Sequence, residues 1–296
     1  VKNPKITRRQ MLAGSAQAIA TLTLASSCSL EQSRSAKAKP AGFKIGACDW
    51  TLRKRTDPTS LELAKRLGLD GIQVDFGSGE EDLPLFDPQL QAKFLAEAQK
   101  HNVEVASLAM GTLNNVPYQS DPRAERWVEQ SIGVCKAMGV TVVLLPFFSK
   151  ADLRNDKAAN DAVIKKLRKV APKAEKAGII LGIESQLNAE QHMYIVDGVG
   201  SPAVQVYYDV GNSNKAGYDI YKEIRFLGKN ICEFHAKDYK DLYGKGNIDF
   251  PEVRRAMDDI GYRGWIVVEG TKFPLGREES CRYDAEYLRT VFPRKV

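Results

Sequence analysis

Histidine is scarce in this 296-residue sequence: there are three, at positions 101, 192 and 235. That number excludes a multi-zinc centre built from many imidazoles. The five cysteines follow no disulfide framework. Cys48 and Cys232 lie inside apolar runs and read as buried free thiols. No G-x-G-x-x-G opens the first helical stretch, so a dinucleotide-binding sheet has no support. Past the first 40 residues, no apolar run is long enough to span a bilayer. Net charge is missing there as well. Residues 1–40 hold seven of the 43 basic and one of the 37 acidic groups, leaving 36 of each in residues 41–296. The formal charge of +6 therefore belongs to the leader, and the remainder has no overall electrostatic reason to bind nucleic acid.

The leader has its own grammar. "TRRQMLAGSAQAIATLTLASSC" gives a basic segment, a short apolar segment and small residues before Cys28, the order of an export signal. The pair Arg8-Arg9 is of the twin-arginine type. Cys28 stands where a bacterial lipoprotein is cleaved and lipidated; the alternative is an ordinary cleavable signal with a bystander cysteine. The expected organisation is a signal over residues 1–28, a polar tether over 29–42 and a catalytic domain over 43–296. The expected location is periplasmic, or membrane-anchored through lipid on Cys28, the only membrane contact foreseen.

From residue 43 onward, short β-branched runs alternate with helical spacing. Strands are expected at 43–50, 70–77, 103–110, 140–148, 178–185, 203–212, 230–238 and 264–270. Helical stretches fill the gaps, with Asp-Pro and Thr-Ser start signals and glycine stops. Strict alternation without tandem hairpins predicts parallel strands. Eight units in 256 residues predict a (β/α)8 TIM barrel of α/β class.

In such a barrel, chemistry gathers at the C-terminal strand ends. Four consecutive apolar runs finish on polar residues there: Glu184, Asp209, His235 and Glu269. Strand parity supports a common direction. Glu184 shares a face with Gly182 and Ile180, Asp209 with Tyr207 and Gln205, and Glu269 with Val267 and Trp265. The opposite faces carry Val204, Val206, Tyr208, Ile266 and Val268, as packing beneath outer helices requires. Alone, each strand-end carboxylate would read as a helix cap and the histidine as a satisfied polar residue. Together they make an oxygen-rich set for one divalent ion, with Mn²⁺, Mg²⁺ or Co²⁺ preferred and Zn²⁺ left open.

Other positions around the mouth are substrate-binding candidates. Lys237 shares the face of His235 and is read as a donor to a substrate oxygen or as a salt-bridge partner of Asp238 or Asp241. Gln186 and Asn212 are orienting groups, Trp50 and Phe148 are apolar walls, and Asp75 is a binding group or a helix cap. Gly244, Gly246 and Asn247 suit a loop over the mouth or a plain turn. His101 is expected as a solvated residue at a helix C-terminus, and His192 on a helix surface or lining the mouth.

The pieces "LGIES", "YYDVGN", "FHAKD", "GKGNIDF" and "GYRGWIVVEG" resemble the xylose isomerase-like, or sugar phosphate isomerase/epimerase-like, barrel superfamily across residues 43–292. The four ligand candidates lie 25, 26 and 34 residues apart, similar to the ketose 3-epimerase branch. That resemblance implies that Glu184 and Glu269 also move the proton beside a carbonyl through an ene-diolate. It implies a small carbohydrate substrate. One position departs from the branch: Asn212 stands where ketose epimerases carry a histidine three residues after the metal aspartate. The expected activity is thus a metal-dependent sugar isomerase or epimerase. The alternative is a lyase that removes the aglycone from 3-keto-glycosides. A non-catalytic sugar-binding barrel is a further rival, and a homo-oligomer stays open.

Overall fold

The computed structural model describes residues 42–270 and 272–294. The expected signal, and all of the expected tether except Gly42, fall outside the described residues. The first two strands are β1 (Lys44–Cys48) and β2 (Gly71–Asp75), joined through α1 (Ser60–Arg66). Next come α2 (Pro88–His101), β3 (Glu104–Ala109), α3 (Pro122–Met138), β4 (Val142–Phe147) and α4 (Lys157–Ala177). The second half holds β5 (Ile180–Ser185), α5 (Ala189–Val199), β6 (Val204–Asp209), the short α6 (Val210–Lys215) and α7 (Ile220–Leu227). It ends with β7 (Ile231–Ala236), α8 (Phe250–Asp259), β8 (Trp265–Val268) and α9 (Arg277–Val291). The strands close in chain order, β1 pairing in parallel with both β2 and β8. The protein is a (β/α)8 barrel.

Helix boundaries follow side-chain chemistry. Asp87, Asp121 and Asp156 accept backbone N–H groups at the starts of α2, α3 and α4. Asn188 and Gln191 form a reciprocal capping box on α5. Gly139, Gly178 and Gly200 end α3, α4 and α5 in left-handed conformation, which glycine adopts without a Cβ clash.

The expected parity is observed. Val204, Val206, Tyr208, Phe234, Ile266 and Val268 belong to the outer core between strands and helices. A small separate cluster of Ala109, Val142, Leu144 and Tyr207 is packed by Ile180 and Cys232 inside the barrel. The inner face above it is therefore free to carry polar groups. Cys48 is buried and Cys232 half-buried, and both are free thiols.

One expectation needs correction, and one choice left open is decided. The sixth strand stops at Asp209 instead of continuing to residue 212, because the Asp209 carboxylate starts helix α6: Oδ1 accepts the Asn212 N–H at 2.8 Å. The Gly244–Gly246 segment is a tightly packed turn. Gly244 (φ +79°) lies against the Tyr287 ring and Gly246 against the Asp238 carboxylate, where a Cβ would collide. Both glycines are accounted for by that packing.

Candidate metal centre

The register of the last four strands explains why their polar ends meet. Asp209 lies beside His235 across β6 and β7, and His235 beside Val267, two residues before Glu269. Glu184 is the penultimate residue of β5. Glu184, Asp209, His235 and Glu269 each offer one ligand atom, and these atoms lie within 4.8 Å of one another. His235 Nδ1 is 3.1 Å from Glu184 Oε1, 3.4 Å from Glu269 Oε2 and 3.9 Å from Asp209 Oδ2.

Charge is out of balance in this cluster. Three carboxylates, Glu184 and Asp209 buried and Glu269 half-buried, face one lysine and one imidazole. Lys237 Nζ lies 2.7 Å from Glu269 Oε2 and 3.5 Å from Asp209 Oδ2. Burial disfavours the charged form of Glu269, but Lys237 and His235 overcome this and hold its carboxyl well below the usual range. Burial pushes Asp209 up, and Lys237 only partly offsets it. Burial disfavours charge on His235 too, yet Glu184, Glu269 and Asp209 raise it above its ordinary value. Asp209 Oδ2 is buried and accepts no hydrogen bond, while Oδ1 caps α6. One carboxylate thus serves as helix cap and leaves its second oxygen aimed at the centre. Three oxygens and one nitrogen short of positive charge fit a hard divalent cation.

The nitrogen is prepared from below. Glu233, two residues before His235 on the same face, is buried beneath it. Gln73 Nε2 donates to Ser107 Oγ and to Tyr207 Oη, each at 3.0 Å. This orients the amide so that Gln73 Oε1 faces His235 Nε2 at 2.8 Å. Cys48 Sγ lies 3.4 Å from the same Oε1. With Nε2–H donating to Gln73, the Nδ1 lone pair is left for the carboxylate side. Replacing Gln73 with leucine is expected to weaken divalent-metal binding by about 10- to 100-fold, the usual weight of a partner behind a metal-binding histidine. A chelator-competition titration, with circular dichroism to verify folding, measures it; unchanged affinity would mean that His235 needs no such orientation.

The remaining candidates lie where the sequence suggested, with two exceptions. Trp50, Asp75, Gln186, Asn212, Lys237 and Phe148 all line a cavity of about 330 Å³ above the four residues. Trp50 Nε1 donates to Glu269 Oε1 at 3.1 Å. Asn212 Nδ2 approaches Glu184 Oε1 at 3.4 Å, and its Oδ1 accepts from Tyr239. Lys237 pairs with Glu269 and Asp209 across the site, not with Asp238 or Asp241 as the alternative held. His192 is the other exception. It is buried instead of lying on the helix surface, bonded to Ser185 Oγ (2.9 Å) and the Asn188 carbonyl (3.1 Å), and burial lowers its pKa to about 4. His101 is half-buried beside Glu97. Arg55, Tyr239, Asn114 and Gln73 were missed. Gln73 alone left a signal, a polar residue inside the apolar run "GIQVD" and on the face of Asp75.

A closed parallel barrel with a buried carboxylate–imidazole cluster at its C-terminal rim defines a metal-site barrel. The chain belongs to the xylose isomerase-like TIM barrel family, whose pattern matches residues 61–291. Among its relatives, the 2-epi-5-epi-valiolone 7-phosphate 2-epimerase of an Actinoplanes species is 27% identical over 177 residues, which cover 60% of this chain and 65% of that protein. The match thus spans slightly less than two thirds of that relative. Among solved structures, a D-psicose 3-epimerase crystallised with D-fructose superposes with a TM-score of 0.71 at 16% identity, covering 84% of this chain and 99% of that one. The 3-keto-D-glucoside 4-epimerase YcjR of E. coli gives 0.71 at 15% identity with the same coverage. At such identity these two structures establish the shared fold.

Proposed function

We propose that the protein is a divalent-metal-dependent isomerase or epimerase of a sugar or keto-sugar. The observation that carries this reading is the pair of glutamates, Glu184 and Glu269, set with Asp209 and His235 around one centre under a sugar-sized cavity. The four residues would hold one ion, Mn²⁺, Mg²⁺ or Co²⁺ by the hardness of the oxygen set, with Zn²⁺ as the alternative. When bound, such an ion stabilises negative charge developing on a substrate carbonyl oxygen.

The rest of the chemistry falls to the chain. Glu184 and Glu269 reach the cavity from different strands and serve as base and acid at a carbon beside the carbonyl. Trp50 Nε1 and Lys237 Nζ fix Glu269 from two directions. Asn212 steadies Glu184 and carries no titrating group, so proton transfer rests on the two glutamates. Lys237 adds a positive charge where an ene-diolate oxygen would develop.

The test is a screen of keto-sugars and 3-keto-glycosides with metal-loaded protein, analysed by chromatography and mass spectrometry. A product of unchanged mass is the expected outcome. Release of an aglycone would replace epimerisation with β-elimination at the same site. Failure to convert either class would remove the reading.

A further inference from the structure

Across the cavity from the metal centre lies a second polar wall. Arg55 Nη1 pairs with Asp75 Oδ2 at 2.9 Å. The Asp75 side chain is 1% exposed and that of Arg55 50%, so the carboxylate is anchored while the guanidinium still reaches the cavity. Asp75 also accepts the N–H groups of Gly77 (2.7 Å) and Gly111 (3.2 Å). A Cβ on Gly111 would collide with the Asp75 carboxylate and come within 2.9 Å of Arg55 Nη1. Only glycine lets this pair lie against the chain there.

The loop that presents Arg55 is built for it. Arg53 and Thr56 on either side adopt left-handed φ of 57° and 56°. The buried Asp49 accepts the N–H groups of Thr56 (2.8 Å) and Asp75 (3.0 Å), and Thr56 Oγ1 donates to the Asp75 carbonyl (3.0 Å). The loop is thereby tied to the end of β2. Arg55 lies over the Trp50 indole at 5.5 Å, and Trp50 in turn lies 6.1 Å from the His235 ring, centroid to centroid. Trp50 thus separates Arg55 from the metal centre, which places Arg55 and Asp75 beside the part of a substrate remote from the reacting carbons.

We infer that Arg55 and Asp75 form a specificity-determining wall that recognises a neutral, hydroxyl-bearing substrate end and disfavours a phosphate ester. This deepens the isomerase or epimerase reading and rests on it. A hydroxyl can donate to Asp75 and accept from Arg55 at once. A phosphate group has no proton to offer Asp75 at neutral pH and would lie beside its charge. Both cations that line the cavity are already matched: Arg55 by Asp75, Lys237 by Glu269 and Asp209. The Gly111 N–H, which an anion would otherwise use, is given to Asp75.

The experiment uses the metal-loaded protein with D-fructose, D-psicose and D-tagatose and the 6-phosphate ester of each. Calorimetry reads binding, and product analysis reads turnover. Free sugars are expected to exceed their esters by about tenfold or more in affinity and in kcat/KM. Arg55→Met should raise KM for free sugars by about 10- to 100-fold with kcat within about threefold, and leave metal affinity unchanged. Asp75→Asn should cut the discrimination against esters by about tenfold or more. Preference for esters, no binding of any free sugar, or an equal loss for both substrate classes in the two variants overturns the inference. Binding preference for free sugars without turnover would uphold it while overturning the reaction assigned to the site.

Discussion

Replacing His235 by alanine is expected to remove the divalent ion and the activity together while the barrel stays folded. The affinity loss should exceed the ~100-fold that losing an outer partner of a ligand costs. Gln73 Oε1 would keep only the Cys48 thiol as a donor, a penalty of at most about 1–3 kcal/mol for a buried acceptor. That lies below the roughly 5–15 kcal/mol by which domains are stable. Asp209→Asn is a sharper companion. Its amide oxygen can still accept the Asn212 N–H that starts α6, while the charge facing the centre is gone. Elemental analysis after dialysis should find one equivalent of metal in the wild-type protein and far less in both variants, with unchanged far-ultraviolet circular dichroism. A full equivalent in either variant would take that residue out of the ligand set.

The parts of this protein written in periodicity were open to reading. All eight strands appear in the expected places because their residues are apolar on one or both faces, and every described α-helix except α1 and α9 begins at a side-chain cap. Four polar residues interrupting apolar runs, each at the end of its run, pointed to one rim. The close approach of Glu184, Asp209, His235 and Glu269 follows from strand order and parity alone.

What escaped depends on contacts that no local pattern encodes. Arg55 sits in a loop whose shape is set by the Asp49 carboxylate and two left-handed residues, neither of them glycine. Nothing in "DWTLRKRTD" separates Arg55 from its neighbours Arg53 and Lys54. His192 was misplaced because helical spacing gives a face but not what covers it. Here Ser185 and Asn188 satisfy both ring nitrogens and make burial affordable. Asp209 exposes a false choice between cap and ligand, since its two oxygens do different things.

The two glutamates carry the largest expected effect on the reaction itself. If Glu184 and Glu269 exchange a proton with a carbon beside a carbonyl, that hydrogen must become exchangeable, and product formed in D2O should carry deuterium at one carbon. Glutamine in either place keeps the shape and removes the proton carrier. Glu184→Gln can retain the contact with Asn212, and Glu269→Gln the bond from Trp50, so each isolates the acid–base role as far as a residue proposed also to hold the ion allows. Each substitution should slow turnover by about 10²–10⁴-fold, the usual weight of general acid–base catalysis, with metal content measured in parallel. The pair also predicts a difference in pattern. A variant with one glutamate left can still remove and return a proton on that face, so slow deuterium wash-in to the starting sugar should outlast loss of the epimer. Near-normal turnover in either variant would remove that glutamate from the mechanism. Product free of solvent deuterium would point instead to transfer of the hydrogen within the substrate, leaving the four-residue centre in place but discarding proton exchange by the two glutamates.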